Sequence, residues 1–247
     1  MTFDHPAVHT LALDPPARVI AISGANRSIG IAIAREFRRH GYRLSLGAPD
    51  PASLVEAIGP ESGALAYRRN DASDPGSAYA WVDATLSRFG QIDVLINNAG
   101  MKLPSTLHDL DHGNLDTLWS VNVKAPLLMT QLCLPHLEKS GAGRVVNIAS
   151  LLGRRSRNPQ VGFSMTEFAL MALTHTACMT SWDKDVRAIA LCPGFVRTEF
   201  TAPTTKMARE DLIAPETLAT LARTLVELPN TAAVAELRVS CHLEDVL

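Results

Sequence analysis

From Arg18 onward the chain alternates between short, nearly unbroken apolar runs and longer stretches whose apolar residues recur every three or four positions. The short runs are RVIAIS, RLSLGA, ALAYRRND, DVLINNAG, GRVVNIAS, VRAIALCPG and AELRVSC. Continuous β-branched runs of this length predict strands buried on both faces of a parallel sheet. Between them, IAIAREFRRHG, PASLVEAIG, YAWVDATLSRFG, FSMTEFALMALTHTACMTSW and ETLATLARTLVEL carry helical spacing, and Gly41 marks a C-terminal stop. LDTLWSVNVKAPLLMTQLCLPHL reads as one long helix that Pro126 is placed to bend. Strand and helix in alternation predict an α/β fold, a mostly parallel sheet with helices on both faces.

A chain of 247 residues, 47% of them hydrophobic, is expected to bury one large core. No repeat or linker interrupts it, so residues 1–17 are expected as an N-terminal extension and 18–247 as a single domain. A net charge of −2 with mixed signs offers no basic stripe for nucleic acid. No apolar block suggests a signal peptide or a membrane span, so a cytoplasmic protein without a membrane partner is expected. Cys133, Cys178, Cys192 and Cys241 lie far apart and are expected as buried, reduced thiols with no metal role.

In a doubly wound sheet, ligands sit beyond the C-terminal ends of the strands, so the loops there are where chemistry is expected. The first is Gly24-Ala25-Asn26-Arg27-Ser28-Ile29-Gly30, between a strand and a helix. Glycines in such a loop let the backbone approach a pyrophosphate, which then meets the free N–H groups of the next helix.

SGANRSIG resembles the TGxxxGIG fingerprint of the short-chain dehydrogenase/reductase family. Asn97-Asn98-Ala99-Gly100 matches its NNAG motif, and Asn122, Ser150 and Pro193-Gly194 fall at its later positions. The resemblance runs from about Arg18 to Thr198 and implies a Rossmann-type, doubly wound α/β fold and an NAD(P)-dependent oxidoreductase acting on a small alcohol or carbonyl compound. It further implies that the Gly24 to Gly30 loop lines the pyrophosphate, that Asp71 lies beside the adenine and that Asn98, Ala99 and Gly100 shape the cofactor floor. Ile148 to Ser150 and the stretch with Pro193, Gly194, Val196 and Thr198 would flank the nicotinamide. The two long helices around the fifth strand would form a homodimer or homotetramer interface, and the segment from about 199 to 214 would be the substrate lid.

Two departures concern the cofactor. Ser28 replaces the middle glycine, so its hydroxyl either donates to a phosphate or crowds it. Gly47-Ala48-Pro49 lacks the carboxylate that would receive a ribose diol, whereas Arg27 could pair with a 2′-phosphate, which leans the expectation from NAD toward NADP. The other departures concern the reaction. The family uses a serine, a tyrosine and, four residues later, a lysine, with an asparagine from the preceding helix. Ser150 and Asn122 fill two of those positions, but FSMTE places Phe163 at the tyrosine position and Glu167 at the lysine position. Carbonyl reduction needs a proton for the developing alkoxide. Phe163 has none to give, and Glu167 reverses the local charge, so ordinary turnover is expected to be severely impaired.

Tyr42, Tyr67 and Tyr79 all lie in the first third of the chain and are not replacements. Glu167, with a raised pKa, and Lys102 remain candidates for a rewired site. The competing reading is a non-catalytic cofactor sensor or scaffold. His108 and His112 share a helical spacing and are expected as a surface pair, and Met165, Met171 and Met179 as core or subunit contacts.

Overall fold

The structure, a computed structural model, describes residues 17–201 and 207–243. Most of the expected N-terminal extension and residues 202–206 of the expected lid therefore lie outside the described residues. Seven strands, β1 (Val19–Ile22), β2 (Arg43–Ala48), β3 (Leu65–Arg69), β4 (Val94–Asn97), β5 (Arg144–Ile148), β6 (Arg187–Pro193) and β7 (Glu236–Val239), form one sheet in the order β3-β2-β1-β4-β5-β6-β7. Every pairing is parallel, with Ile20 opposite Leu44 on one side and Val94 on the other. The strand order reverses direction at β1, so the crevice between the β1 and β4 ends is where such a sheet takes a ligand.

The helices are α1 (Ser28–Arg39), α2 (Ala52–Ile58), α3 (Pro75–Phe89), α4 (Gly113–Trp119), α5 (Ala125–Lys139), α6 (Val161–Thr180) and α7 (Pro215–Glu227). The pleat divides each apolar run between two cores. Ile20, Ile22, Val94, Ile96, Val146, Ile189 and Leu191 face Phe37 of α1, Leu54 of α2 and Leu218 of α7. Their neighbours Ala21, Leu95, Val145 and Ala188 face Trp81 of α3, Met129 of α5 and Ala177 of α6. This period of two inside an unbroken apolar run is why the sequence reads as strands covered on both sides.

The long helix expected over 115–137 is divided. Residues Ser120–Lys124 form a π-helical turn between α4 and α5, with the Ala125 N–H donating to the Ser120 carbonyl. Pro126 has no N–H to return to the Asn122 carbonyl, so the helix loses a rung of its ladder where the wider turn occurs. His108 and His112 are not on a helix: HDLDH is an exposed loop, with His112 just before α4. Cys133 and Cys192 are buried free thiols, but Cys178 and Cys241 are only half-buried, contrary to expectation. Of the methionines on α6, Met171 is core, whereas Met165 and Met179 are exposed.

At the N-terminal edge of the sheet, Arg18, Arg144 and Arg187 are buried and donate to the carbonyls of Val226, Ala142, Gly143, Leu228 and Asn230. That edge is closed by its own hydrogen bonds. No helix among the described residues is long and apolar enough to cross a membrane.

Candidate nucleotide and active site

The β1–α1 loop is held on the β4 loop by side chains as well as backbone. Ser23 Oγ accepts from the Asn98 and Ala99 N–H groups, both at 3.1 Å, and Asn98 Nδ2 donates to the Gly24 carbonyl at 2.9 Å and the Ser23 carbonyl at 3.2 Å. This packing leaves no room for side chains at two positions. Gly24 sits at φ +60°, and a Cβ there would be 2.8 Å from Ala99 Cα; a Cβ on Gly30 would be 2.4 Å from the Gly24 carbonyl oxygen and 2.6 Å from Asn98 Nδ2. Above this floor α1 begins without a side-chain cap and without an acidic residue in its first turn. Ser28 and Ile29 open that turn half-buried, as is Asn26, while Arg27 is exposed and makes no ion pair among the described residues. An uncapped helix start of this kind presents N–H donors and the positive end of the helix dipole to an anion.

Ala48, at the end of β2, is buried, and the first carboxylate beyond it, Asp50, accepts from the Ala52 N–H at 3.0 Å. Asp71 lies after β3, and its carboxylate accepts from the Ser73 N–H and hydroxyl at 3.0 and 2.6 Å, bonds that hold its pKa below the usual value. Ser23, Asn70, Asp71, Asn97, Ala99 and Lys124 share the wall of a cleft of about 200 Å³.

The second half of the site gathers around α6. Asn122, 4% exposed at the π turn, donates from Nδ2 to the Met101 carbonyl at 2.9 Å and to Thr166 Oγ1 at 3.2 Å, while its Oδ1 accepts from the Met101 N–H at 2.9 Å. Gly100 packs beside that amide. Ser150 follows β5, and its Oγ accepts from the Leu152 N–H at 3.2 Å, starting a short 3₁₀ turn at Leu151–Gly153. The turn rests directly on α6, since a Cβ on Gly153 would lie 3.0 Å from both the Glu167 carbonyl oxygen and Met171 Cγ. Pro193 ends β6; the Gly194 N–H donates to the Val239 carbonyl, Val196 is buried and bridges to Ile213, and Thr198 meets Thr201.

Phe163 is buried, with its ring 5.8 Å from that of Phe200. One turn along the same helix, Glu167 is 5% exposed, and its Oε2 is sealed from solvent without a hydrogen-bond partner. Burial alone pushes the Glu167 carboxyl up to about 8. Burial also lowers the pKa of Lys102.

Sequence reasoning gave no role to Ser23 or Thr166. Ser23 closes the β1 run and Thr166 lies within α6, and their partners are 75 and 44 residues away, respectively.

A doubly wound parallel sheet with a glycine loop at its switch point defines a nucleotide-binding α/β protein. More narrowly, the chain belongs to the short-chain dehydrogenase/reductase family: residues 18–209 match the family model described as short chain dehydrogenase. Agropine synthesis reductase of Rhizobium rhizogenes is 48% identical over 229 residues, which cover 92% of this chain and 53% of that protein. The chain thus spans about half the length of this curated relative. The structure of an alcohol dehydrogenase from the archaeon Thermococcus sibiricus complexed with 5-hydroxy-NADP is 30% identical with a TM-score of 0.80, covering 90% of this chain and 95% of that one. A 3-ketoacyl-(acyl-carrier-protein) reductase from Brucella melitensis complexed with NADH is 25% identical with a TM-score of 0.82, covering 91% and 97%.

Proposed function

We propose that this chain binds a nicotinamide dinucleotide at the β1–α1 loop and is an oxidoreductase whose ordinary alcohol and carbonyl chemistry is severely impaired. One observation carries the cofactor reading: the Gly24 and Gly30 backbone is locked onto Asn98 and Ala99 beneath the uncapped start of α1, a cradle that any added Cβ would fill. Gly24, Asn26, Arg27, Ser28, Ile29 and Gly30 would hold the pyrophosphate and Asp71 the adenine side, with Asn98, Ala99 and Gly100 beneath. Pro193, Gly194, Val196 and Thr198 would border the nicotinamide. The dinucleotide, when bound, supplies or takes up two electrons and a hydrogen at a substrate carbon. The exposed Arg27, without an ion pair among the described residues, and the engagement of Asp50 within its own loop favour NADP over NAD.

The chemistry at the substrate is set by the chain's own groups. Ser150 can hydrogen-bond an oxygen, and Asn122 fixes the Met101 backbone and Thr166 around it. No group at position 163 can pass a proton, and position 167 offers a carboxyl sealed from solvent in place of the ammonium that would help a neighbouring acid ionise. The two solved relatives with bound dinucleotides and the reductase name of the Rhizobium relative support an oxidoreductase acting in the reductive direction on a small molecule. Trp119, Leu127, Met165 and Phe168 leave apolar surface exposed on α4, α5 and α6, which favours a homodimer or homotetramer. Four free thiols agree with a reducing, cytoplasmic setting. Titration with NADPH and NADH tests the cofactor reading: saturable binding with NADPH preferred is expected, and absence of saturation at millimolar dinucleotide refutes it.

A further inference from the structure

The cleft beside the β1–α1 loop runs on between the start of α3 and the start of α5, and one polar side chain on its wall has no use in the fold. Asn70, the residue after β3, is 5% exposed. Its backbone N–H donates to the Ala48 carbonyl at 2.9 Å, but its side-chain amide has no hydrogen-bond partner among the described residues. A buried amide left unmet costs stability and is rare in folded proteins.

The sheet holds that amide toward the cleft. On the neighbouring strand, a Cβ on Gly47 would be 2.8 Å from Asn70 Cβ and 3.0 Å from the Trp81 ring, so the glycine leaves the space that these two side chains fill. The groups around Asn70 offer it nothing. Trp81 Nε1 is given to Ser45 Oγ at 2.9 Å, and Ser23 Oγ is held by the Asn98 and Ala99 N–H groups. Ala78 and Pro126, on the same cleft wall, carry no side-chain donor or acceptor.

We propose, resting on the dinucleotide reading, that Asn70 is a binding residue for the adenine base, its amide pairing with the exocyclic amine and a ring nitrogen along one edge. A side-chain amide carries the donor and the acceptor that match such an edge two for two. Asp71, the next residue and part of the same wall, is the one that the resemblance sets beside the adenine, whereas Pro193, Gly194, Val196 and Thr198, on the nicotinamide side, do not line this cleft. The base therefore completes an amide that the free protein leaves open, and the stability withheld from the empty fold is returned as affinity.

The test reads binding and stability together. NADPH, NADH and 2′,5′-ADP are titrated calorimetrically into the parent protein, Asn70→Leu and Asn70→Ala, and urea unfolding of all three is followed without ligand. Both variants should bind all three ligands about tenfold more weakly than the parent, within the range of one amide–adenine pair. An amide spent on the 2′-phosphate would spare NADH, and one spent on the nicotinamide half would spare 2′,5′-ADP; either result would overturn the proposal. With 1,N6-etheno-NADPH, whose amine and ring nitrogen are bridged, the difference between parent and variants should vanish, and a difference that persists would also overturn it. Without ligand, Asn70→Leu should unfold at the same or a higher urea concentration than the parent, because it removes an unmet buried group. Asn70→Ala keeps the binding comparison available if leucine is too large for the space beside Trp81. Loss of stability in both variants with NADPH affinity unchanged would mark a purely structural amide. The outcomes separate cleanly: no saturable NADPH binding by the parent refutes the dinucleotide reading, whereas parent binding that the variants match refutes only the role of Asn70.

Discussion

Glu167→Gln should make the protein more stable, and by an amount that grows with pH. The Glu167 carboxyl is raised from an ordinary 4.5 to about 8 by burial. Between those two values the native state keeps a proton that the unfolded chain releases, so unfolding becomes easier as pH rises. Its contribution is fully present below 4.5, is lost as pH climbs toward about 8, and is constant above that. At 1.36 kcal/mol per pH unit the loss is about 5 kcal/mol, an upper figure because water entering the site would reduce it. That is a large share of a typical folding free energy of about 5–15 kcal/mol. The glutamine variant has no such dependence. Urea unfolding of both proteins should therefore give similar stabilities near pH 4.5, with the variant ahead by several kcal/mol near pH 9. Taking the difference between the two cancels groups that titrate elsewhere, and the other strongly shifted groups titrate above this range: Tyr42, Cys133 and Cys192 are pushed up to about 12, and burial lowers Arg144 to about 10. A difference that stays constant across this range would refute the claim that Glu167 is buried without a partner.

Phe163→Tyr combined with Glu167→Lys should raise alcohol or carbonyl turnover by about 10²-fold or more, the scale of positioned acid–base catalysis, read as dinucleotide oxidation or reduction with a panel of simple substrates. Arg27→Ala should weaken NADPH binding by about tenfold and leave NADH binding nearly unchanged, because a charge-assisted bond to a 2′-phosphate has no counterpart in NADH. Gly30→Ala should cost about 1–3 kcal/mol of stability in thermal or urea unfolding and abolish dinucleotide binding, since its Cβ would lie 2.4 Å from the Gly24 oxygen.

The fold was legible because its signals are local. Apolar runs such as VIAI and VLIN cannot be satisfied except between two layers, and the glycine spacing of the first loop states where the backbone must come close to something else. Features set by contacts across the chain or by helix geometry were hidden. HDLDH has helical spacing, yet its histidines lie in a loop ahead of α4. Pro126 signalled a disturbed helix, but the π turn holding Asn122 needed the Met101 and Thr166 contacts to become visible. Cys178 is on α6 and Cys241 just beyond β7, and the exposure of each is set by neighbouring elements rather than by its own segment. At the site, the residue identities at 163 and 167 were plain from the sequence. The packing of Phe163 on Phe200 and the isolation of Glu167 Oε2 were not, because both depend on which segments fold over α6.

A site that holds a dinucleotide but lacks a proton donor at position 163 and an ammonium at position 167 is distinguished from its alternatives by the fluorescence of NADPH, mixed first with the parent protein and then with a panel of ketones, with the Phe163→Tyr, Glu167→Lys double variant in parallel. The signal should change on binding in both proteins, persist with ketones in the parent and decay in the double variant. No change on mixing NADPH with the parent, or decay with ketones as rapid in the parent as in the double variant, would contradict that description of the site.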